Sequence, residues 1–215
     1  MVRDKHIDNL RVLASLAVVL LHVTGVCYSF YCSQESIIGT IFNCINVVCR
    51  FSVPLFVMIT GFLLLPPSKE INYKDCVCKY AWRILVILLV VGTLYAWLEL
   101  AFTYKSYSLN LLPESLLNVL KGYLWDHMWY LYMLIGLYLI LPMVKSAVSS
   151  LSTNELDILL IILFIFTLLI PSLQSYGLPN VGFDIPMKDS FLFYLLLGYR
   201  CSITRPEFTP PIYLF

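Results

Sequence analysis

The chain has 215 residues, 60% of them hydrophobic and only 13% charged, with a formal net charge of +1 and a mean hydropathy of +0.84. That balance excludes a soluble domain of ordinary composition and leaves no basic stripe or soluble face on which to build a nucleic-acid site, so no nucleic-acid partner is expected. Lipid is the expected solvent, and the expected fold class is all-α: a polytopic membrane helical bundle with about six transmembrane helices.

The first apolar run, residues 8 to 30, carries two ionisable side chains, Arg11 and His22. Eleven residues of α-helix turn through about 1100° and rise about 16 Å, which puts both side chains on one face, half a bilayer apart. Charge at that depth is costly in lipid, so such a face is expected to point into protein or a polar cavity. Two readings stand at this point. One is a cation near one membrane surface with a proton-transfer residue near the midplane. The other is an Arg that snorkels to the interface and a His hydrogen-bonded between helices. The charged groups inside the run, and the lack of a small-residue cleavage site, set it apart from a signal peptide.

The second run, residues 37 to 65, is long and contains Pro54, so a tilt or kink is expected. Arg50 lies near its middle, without the short snorkelling route open to Arg11, and is expected to have a buried partner or a ligand. The third run, residues 82 to 104, places Glu99 in one half of the membrane. There it either orients the imidazole of His22 and stabilises its charged form, or is an interfacial carboxylate. Leu111 to Tyr123 is mildly amphipathic, with Pro113 and Glu114 at its start, and reads as a helix lying on the membrane surface. Asp126, His127 and Trp129 cluster at the start of the fourth run, residues 128 to 147. The fifth and sixth runs, 156 to 173 and 188 to 204, are short and are expected to have interfacial flanks.

The seven cysteines follow no zinc or secreted-scaffold spacing, and most read as small apolar fillers. Cys27 and Cys32 flank a loop and are the pair that an oxidising compartment would allow to form a disulfide. Lys and Arg are retained on the cytoplasmic side of membranes. With the N-terminus inside, nine cations fall on that side: Arg3, Lys5, Lys69, Lys74, Lys79, Arg83, Lys145, Arg200 and Arg205. Only Lys105, Lys121 and Lys188 fall on the other, so both termini are expected to be cytoplasmic. Arg11 and Arg83 then lie near the cytoplasmic face, and His22, Glu99, Asp126 and His127 lie toward the outside. Cations on the cytoplasmic side suit a phosphate-bearing donor, and His22 is placed to take a proton from an acceptor hydroxyl.

Four segments resemble the membrane-bound acyltransferase 3 family of integral membrane O-acyltransferases. IDNLRVLASLAVVLLHV carries the family's Arg and His in the first span, as Arg11 and His22 with ten residues between them. PLFVMITGFLL is similar to the segment that closes the second span, with Thr60 in the usual Ser position before Gly61 and Phe62. KYAWRIL supplies the basic pair Lys79 and Arg83, and DHMWYLYMLIGLYLILP supplies His127, Trp129 and Tyr130. The resemblance implies acyl-coenzyme A as donor substrate; no tightly bound cofactor and no metal is expected. The resemblance makes His22 the catalytic residue, with Arg11 as its companion; Glu99 completes the expected catalytic set from the reading of the third run alone. Arg50, Lys79, Arg83, Asp126, His127 and Trp129 form the expected substrate-binding set. The implied partners are acyl-coenzyme A, a carbohydrate or cell-envelope acceptor and the lipid bilayer, with the cell membrane as location. Family members continue for further spans, so residues 1–215 are expected to form one transmembrane domain incomplete at its C-terminal end. The competing class is a transporter or exporter in which His22 and Glu99 relay protons and Arg50 binds an anion. No internal repeat supports it.

Overall fold

The computed structural model describes residues 5–31, 36–123, 128–177, 179 and 190–204. Among these residues all regular structure is helical. In chain order the helices are α1 (Lys5–Tyr31), α2 (Ile37–Cys49), α3 (Ser52–Leu64), α4 (Tyr73–Tyr104), α5 (Leu112–Lys121), α6 (Trp129–Ser149), α7 (Thr153–Ser175) and α8 (Phe191–Thr204). Among the described residues five segments are long and apolar enough to cross a membrane, with α2 and α3 together making one of them, and α8 is apolar but shorter. The protein is therefore a helical membrane bundle, as its composition requires. The chain divides into two compact units, Met1–Lys69 with Ser150–Phe215, and Glu70–Ser149.

In the first unit α1 packs against α2 and α3. Its buried residues Ile7, Ala14, Ala17 and Thr24 recur at steps of seven and three, which is the spacing that keeps one helix face turned inward. The expected kink in the second span falls at Arg50 and Phe51, between α2 and α3. Pro54 has no N–H to offer the carbonyl of Arg50, so the ladder breaks there. The amide of Arg50 bonds the Val47 carbonyl at 3.2 Å in a tightened turn, and the amide of Leu55 resumes the regular pattern on Phe51 at 2.9 Å. Thr60, in the family's serine position, donates its hydroxyl to the Phe56 carbonyl within its own helix.

α3 and α8 cross at two glycines. A Cβ on Gly61 would stand 3.2 Å from Leu195 Cα, and one on Gly198 would stand 2.8 Å from Met58 Cα, with the carbonyl oxygens of both partners nearer still. Only glycine admits backbones that close, and small residues permit this approach where lipid supplies no hydrophobic drive. Val57, Leu195 and Leu196 are sealed around the crossing. α7 opens with a capping box, in which Ser152 and Glu155 satisfy each other's backbone amides. It then passes through a π-turn at Ile165–Leu169, where the amide of Ile170 reaches back to the Ile165 carbonyl. Pro171 is the cause: its ring would meet the carbonyl of Thr167, and the wider turn relieves the clash. Asp157 of α7 binds Arg200 of α8 in a two-pronged pair, 2.6 Å to Nε and 3.0 Å to NH2, which sets the start of α7 beside the end of α8.

In the second unit α4 begins at Tyr73 and not near residue 82, so Lys74 and Lys79 lie on the helix and not in a loop. Asn72 caps it by accepting the amide of Asp75 at 2.8 Å, and a π-helical segment, Cys76–Ala81, joins the cap to the apolar run. The hydropathy of the sequence hid this start because the first turn, Tyr73–Asp75, is polar and Lys79 and Arg83 interrupt the apolar residues that follow. Lys105, in the left-handed conformation at φ 50°, ends the helix. α5 follows after a short turn and doubles back along α4, with Ser115 and Val119 fully buried. Val119 meets Leu88 and Ala96 of α4, and Leu131, Tyr132 and Ile135 of α6 close the cluster. Two side chains fasten this arrangement: Trp97 Nε1 donates to the Ser108 carbonyl at 3.0 Å, and the Tyr132 hydroxyl donates to the Val119 carbonyl. The amphipathic segment expected at the membrane surface thus docks on α4 through one face and leaves Leu116, Leu117 and Leu120 exposed on another.

Candidate functional site

α1 runs unbroken from Lys5 to Tyr31, so Arg11 and His22 sit on one face with about 16 Å of helix rise between them. Measured around the helix, that face lies roughly 100° from the stripe buried against α2 and α3. It flanks the packed seam without being covered by it. Arg11 is exposed over 48% of its side chain and pairs at 3.3 Å with Asp8, one turn nearer the helix start. His22 is half-buried.

Asn46 links α2 to the backbone beside His22: its Nδ2 donates to the Leu21 carbonyl at 2.8 Å. That bond levels Leu21 with Asn46. Because α2 returns antiparallel to α1 after a short connection, Arg50 lies one turn, about 6 Å, farther toward the Arg11 end. Along the axis of this unit the order is therefore Arg11, Arg50, His22. Arg50 is exposed and meets no carboxylate at ion-pair distance among the described residues. At the next position but one, the Ser52 hydroxyl is fully buried without a hydrogen-bond partner among them.

The second unit carries Lys79, Arg83, Glu99 and Trp129. Lys79 lies in the π-helical segment and Arg83 one turn beyond it, so the two cations neighbour each other on one helix side. Lys79 reaches Asp75 at 3.6 Å, with 66% of its side chain exposed, and this loose surface pair leaves the ammonium accessible. Tyr80, between the two, stacks on Tyr138 of α6 with ring centroids 5.4 Å apart. Glu99 is exposed on α4, and its carbonyl accepts the Thr103 hydroxyl at 2.9 Å. Trp129 opens α6 and meets Tyr130 edge to face at 6.3 Å. The structure therefore groups Arg11, Arg50 and His22 in one unit, and Lys79 with Arg83 in the other. Asp126, His127 and Cys32 lie outside the described residues.

A family model described as an acyltransferase domain matches residues 4–213, nearly the whole chain. The chain belongs to this acyltransferase family. Neither curated proteins nor solved structures give a match. As a family member built from long apolar helices, the protein is a membrane acyltransferase in general terms, and Arg11, His22, Lys79 and Arg83 all fall within the matched residues.

Sequence reasoning missed Asn46 and the Asp157–Arg200 pair. A signal for the first was present: Gly39, Asn46 and Cys49 recur at steps of seven and three, and an Asn within an apolar helix seeks a partner on its neighbour. The second had no local signal, because its members are 43 residues apart in the chain.

Proposed function

We propose that the protein is a membrane O-acyltransferase that moves an acyl group, acetyl in the simplest case, from acyl-coenzyme A to a hydroxyl of a sugar or cell-envelope polymer. The observation that carries this reading is the shared face of Arg11 and His22 on one unbroken helix, in a chain of the acyltransferase family. Such a face suits a donor whose phosphates and thioester are separated by a long, thin, uncharged arm. Arg11, near the cytoplasmic end of α1, offers the phosphates a guanidinium in the first unit, and the Lys79 and Arg83 pair is by itself a phosphate-binding element of the second, since such groups form charge-assisted bonds. Arg50, partway toward His22, guides the polar arm.

In the reaction, the His22 imidazole takes the proton of the acceptor hydroxyl as its oxygen attacks the thioester carbonyl. The new C–O bond forms, the C–S bond breaks, and the coenzyme A thiolate leaves with the proton that the imidazolium returns. The products are the ester and free coenzyme A, with no change in redox state. Both termini face the cytoplasm in this scheme, as the distribution of Lys and Arg favours. The test is donor dependence: protein reconstituted in vesicles and given acyl-labelled coenzyme A should release thiol in step with label appearing on a hydroxyl acceptor. Uptake of an unmodified solute with no thiol release would reject acyl transfer in favour of transport.

A further inference from the structure

The peptide group that carries His22 is unusually tied. The Leu21 carbonyl, joined directly to the His22 amide, accepts Asn46 Nδ2 from α2 at 2.8 Å and the Thr24 hydroxyl at 3.2 Å. As part of a regular helix it also faces the amide of Gly25. The Thr24 hydroxyl reaches the Leu20 carbonyl at 2.7 Å as well, so consecutive peptides next to His22 are held from their own helix. Asn46 also lies against Gly25, where a Cβ would stand 3.4 Å from its Nδ2, an ordinary contact distance. A carbonyl already used by its helix has a second lone pair to offer; Asn46 takes it at 2.8 Å, while the Thr24 hydroxyl makes its shorter bond to the Leu20 carbonyl, and in lipid the Asn amide has few alternatives.

Asn46 does more than join two helices. A bond to the carbonyl fixes the tilt and the axial level of the peptide from which the His22 side chain springs. It also sets that level against α2, where Arg50 follows one turn later. We propose that Asn46 is a positioning residue for His22: its bond to the Leu21 carbonyl fixes the imidazole at the depth and angle at which it meets the reacting hydroxyl. The proposal rests on the reading of His22 as general base. Asn46 touches no substrate in it and acts through the backbone of α1.

Asn46→Leu keeps the size and apolar fit of the side chain but cannot donate, and Asn46→Ala provides a second variant with less bulk. Measured beside wild-type protein in vesicles, with acyl-coenzyme A as donor and a hydroxyl acceptor, each variant's kcat should be about tenfold or more lower while its donor KM stays within about twofold, since a small misplacement damages the reacting geometry but not donor binding. A second readout does not depend on activity. The chain has three histidines, His6, His22 and His127, so histidine-labelled protein in bilayers gives few imidazole resonances, and the one lost in His22→Gln identifies His22. Asn46→Leu should shift or broaden that resonance and leave the His6 resonance in place. An unmoved His22 resonance with unchanged kcat would overturn the proposal. So would a general loss of folded protein in both variants, or parallel changes at His6, either of which would make Asn46 a strut for the whole unit. If the wild-type protein transfers no acyl group, the acyltransferase reading fails on its own, and the resonance still decides whether Asn46 sets His22.

Discussion

Replacing Gly61 by alanine should separate α3 from α8. The added Cβ would lie 3.2 Å from Leu195 Cα and closer still to that residue's carbonyl, whereas carbon atoms rest about 3.5–4.0 Å apart at their optimum. The obstructing atoms belong to backbone, so no rotamer change relieves the overlap, and the helices must part by roughly 1 Å. A gap of that size forfeits a quarter to a half of the dispersion energy of each contact it opens, and overpacking of this kind costs about 1–3 kcal/mol, or roughly 5- to 140-fold in the folding equilibrium. The upper end is expected here because Val57, Leu195 and Leu196 share the interface. Gly136→Ala is the control, since nothing lies within 4 Å of a Cβ placed there, and alanine's better helix propensity should leave it neutral or up to about 1 kcal/mol more stable. Unfolding of each variant in mixed detergent micelles by added dodecyl sulfate measures the difference. Gly61→Ala combined with Gly198→Ala should cost less than the sum of the single changes, because the first already parts the pair. A Gly61→Ala protein as stable as the Gly136→Ala control would refute the close crossing.

Arg83→Ala should weaken acyl-coenzyme A binding more than acceptor binding, and the wild-type donor affinity should fall as added salt screens the phosphate contacts; donor and acceptor titrations of the purified variant measure both. Single cysteines placed at Lys74 and Ser108, in a background cleared of accessible native cysteines, report orientation: a membrane-impermeant thiol reagent added to intact cells should label position 108 and spare position 74. The reverse would invert the chain and remove the reason for assigning the basic pair to a cytoplasmic donor.

The class of fold was legible because apolar runs near twenty residues are hard to accommodate in any other way, and Pro54 announced the break beside Arg50. The start of α4 was not legible, since a capped polar turn carries no hydropathy signal and Lys79 and Arg83 break the apolar pattern of the turns after it. Nor was the docking of α5. Its amphipathic pattern does not say which face meets a neighbouring helix, and only the burial of Ser115 and Val119 shows it. Within the candidate site, the common face of Arg11 and His22 follows from helix geometry alone. The level of Arg50 needed a contact between helices, Asn46 to Leu21, which no spacing within one helix can report.

The central claim is that His22 is the base of an acyl transfer, and His22→Ala measured against wild type in the same vesicles tests it most directly. Losing a general base should lower turnover by roughly 10²- to 10⁴-fold. Membrane insertion and donor binding should be preserved, because His22 lies about 16 Å along α1 from Arg11. A folded, inserted His22→Ala protein that retains near-wild-type acyl transfer would contradict the claim.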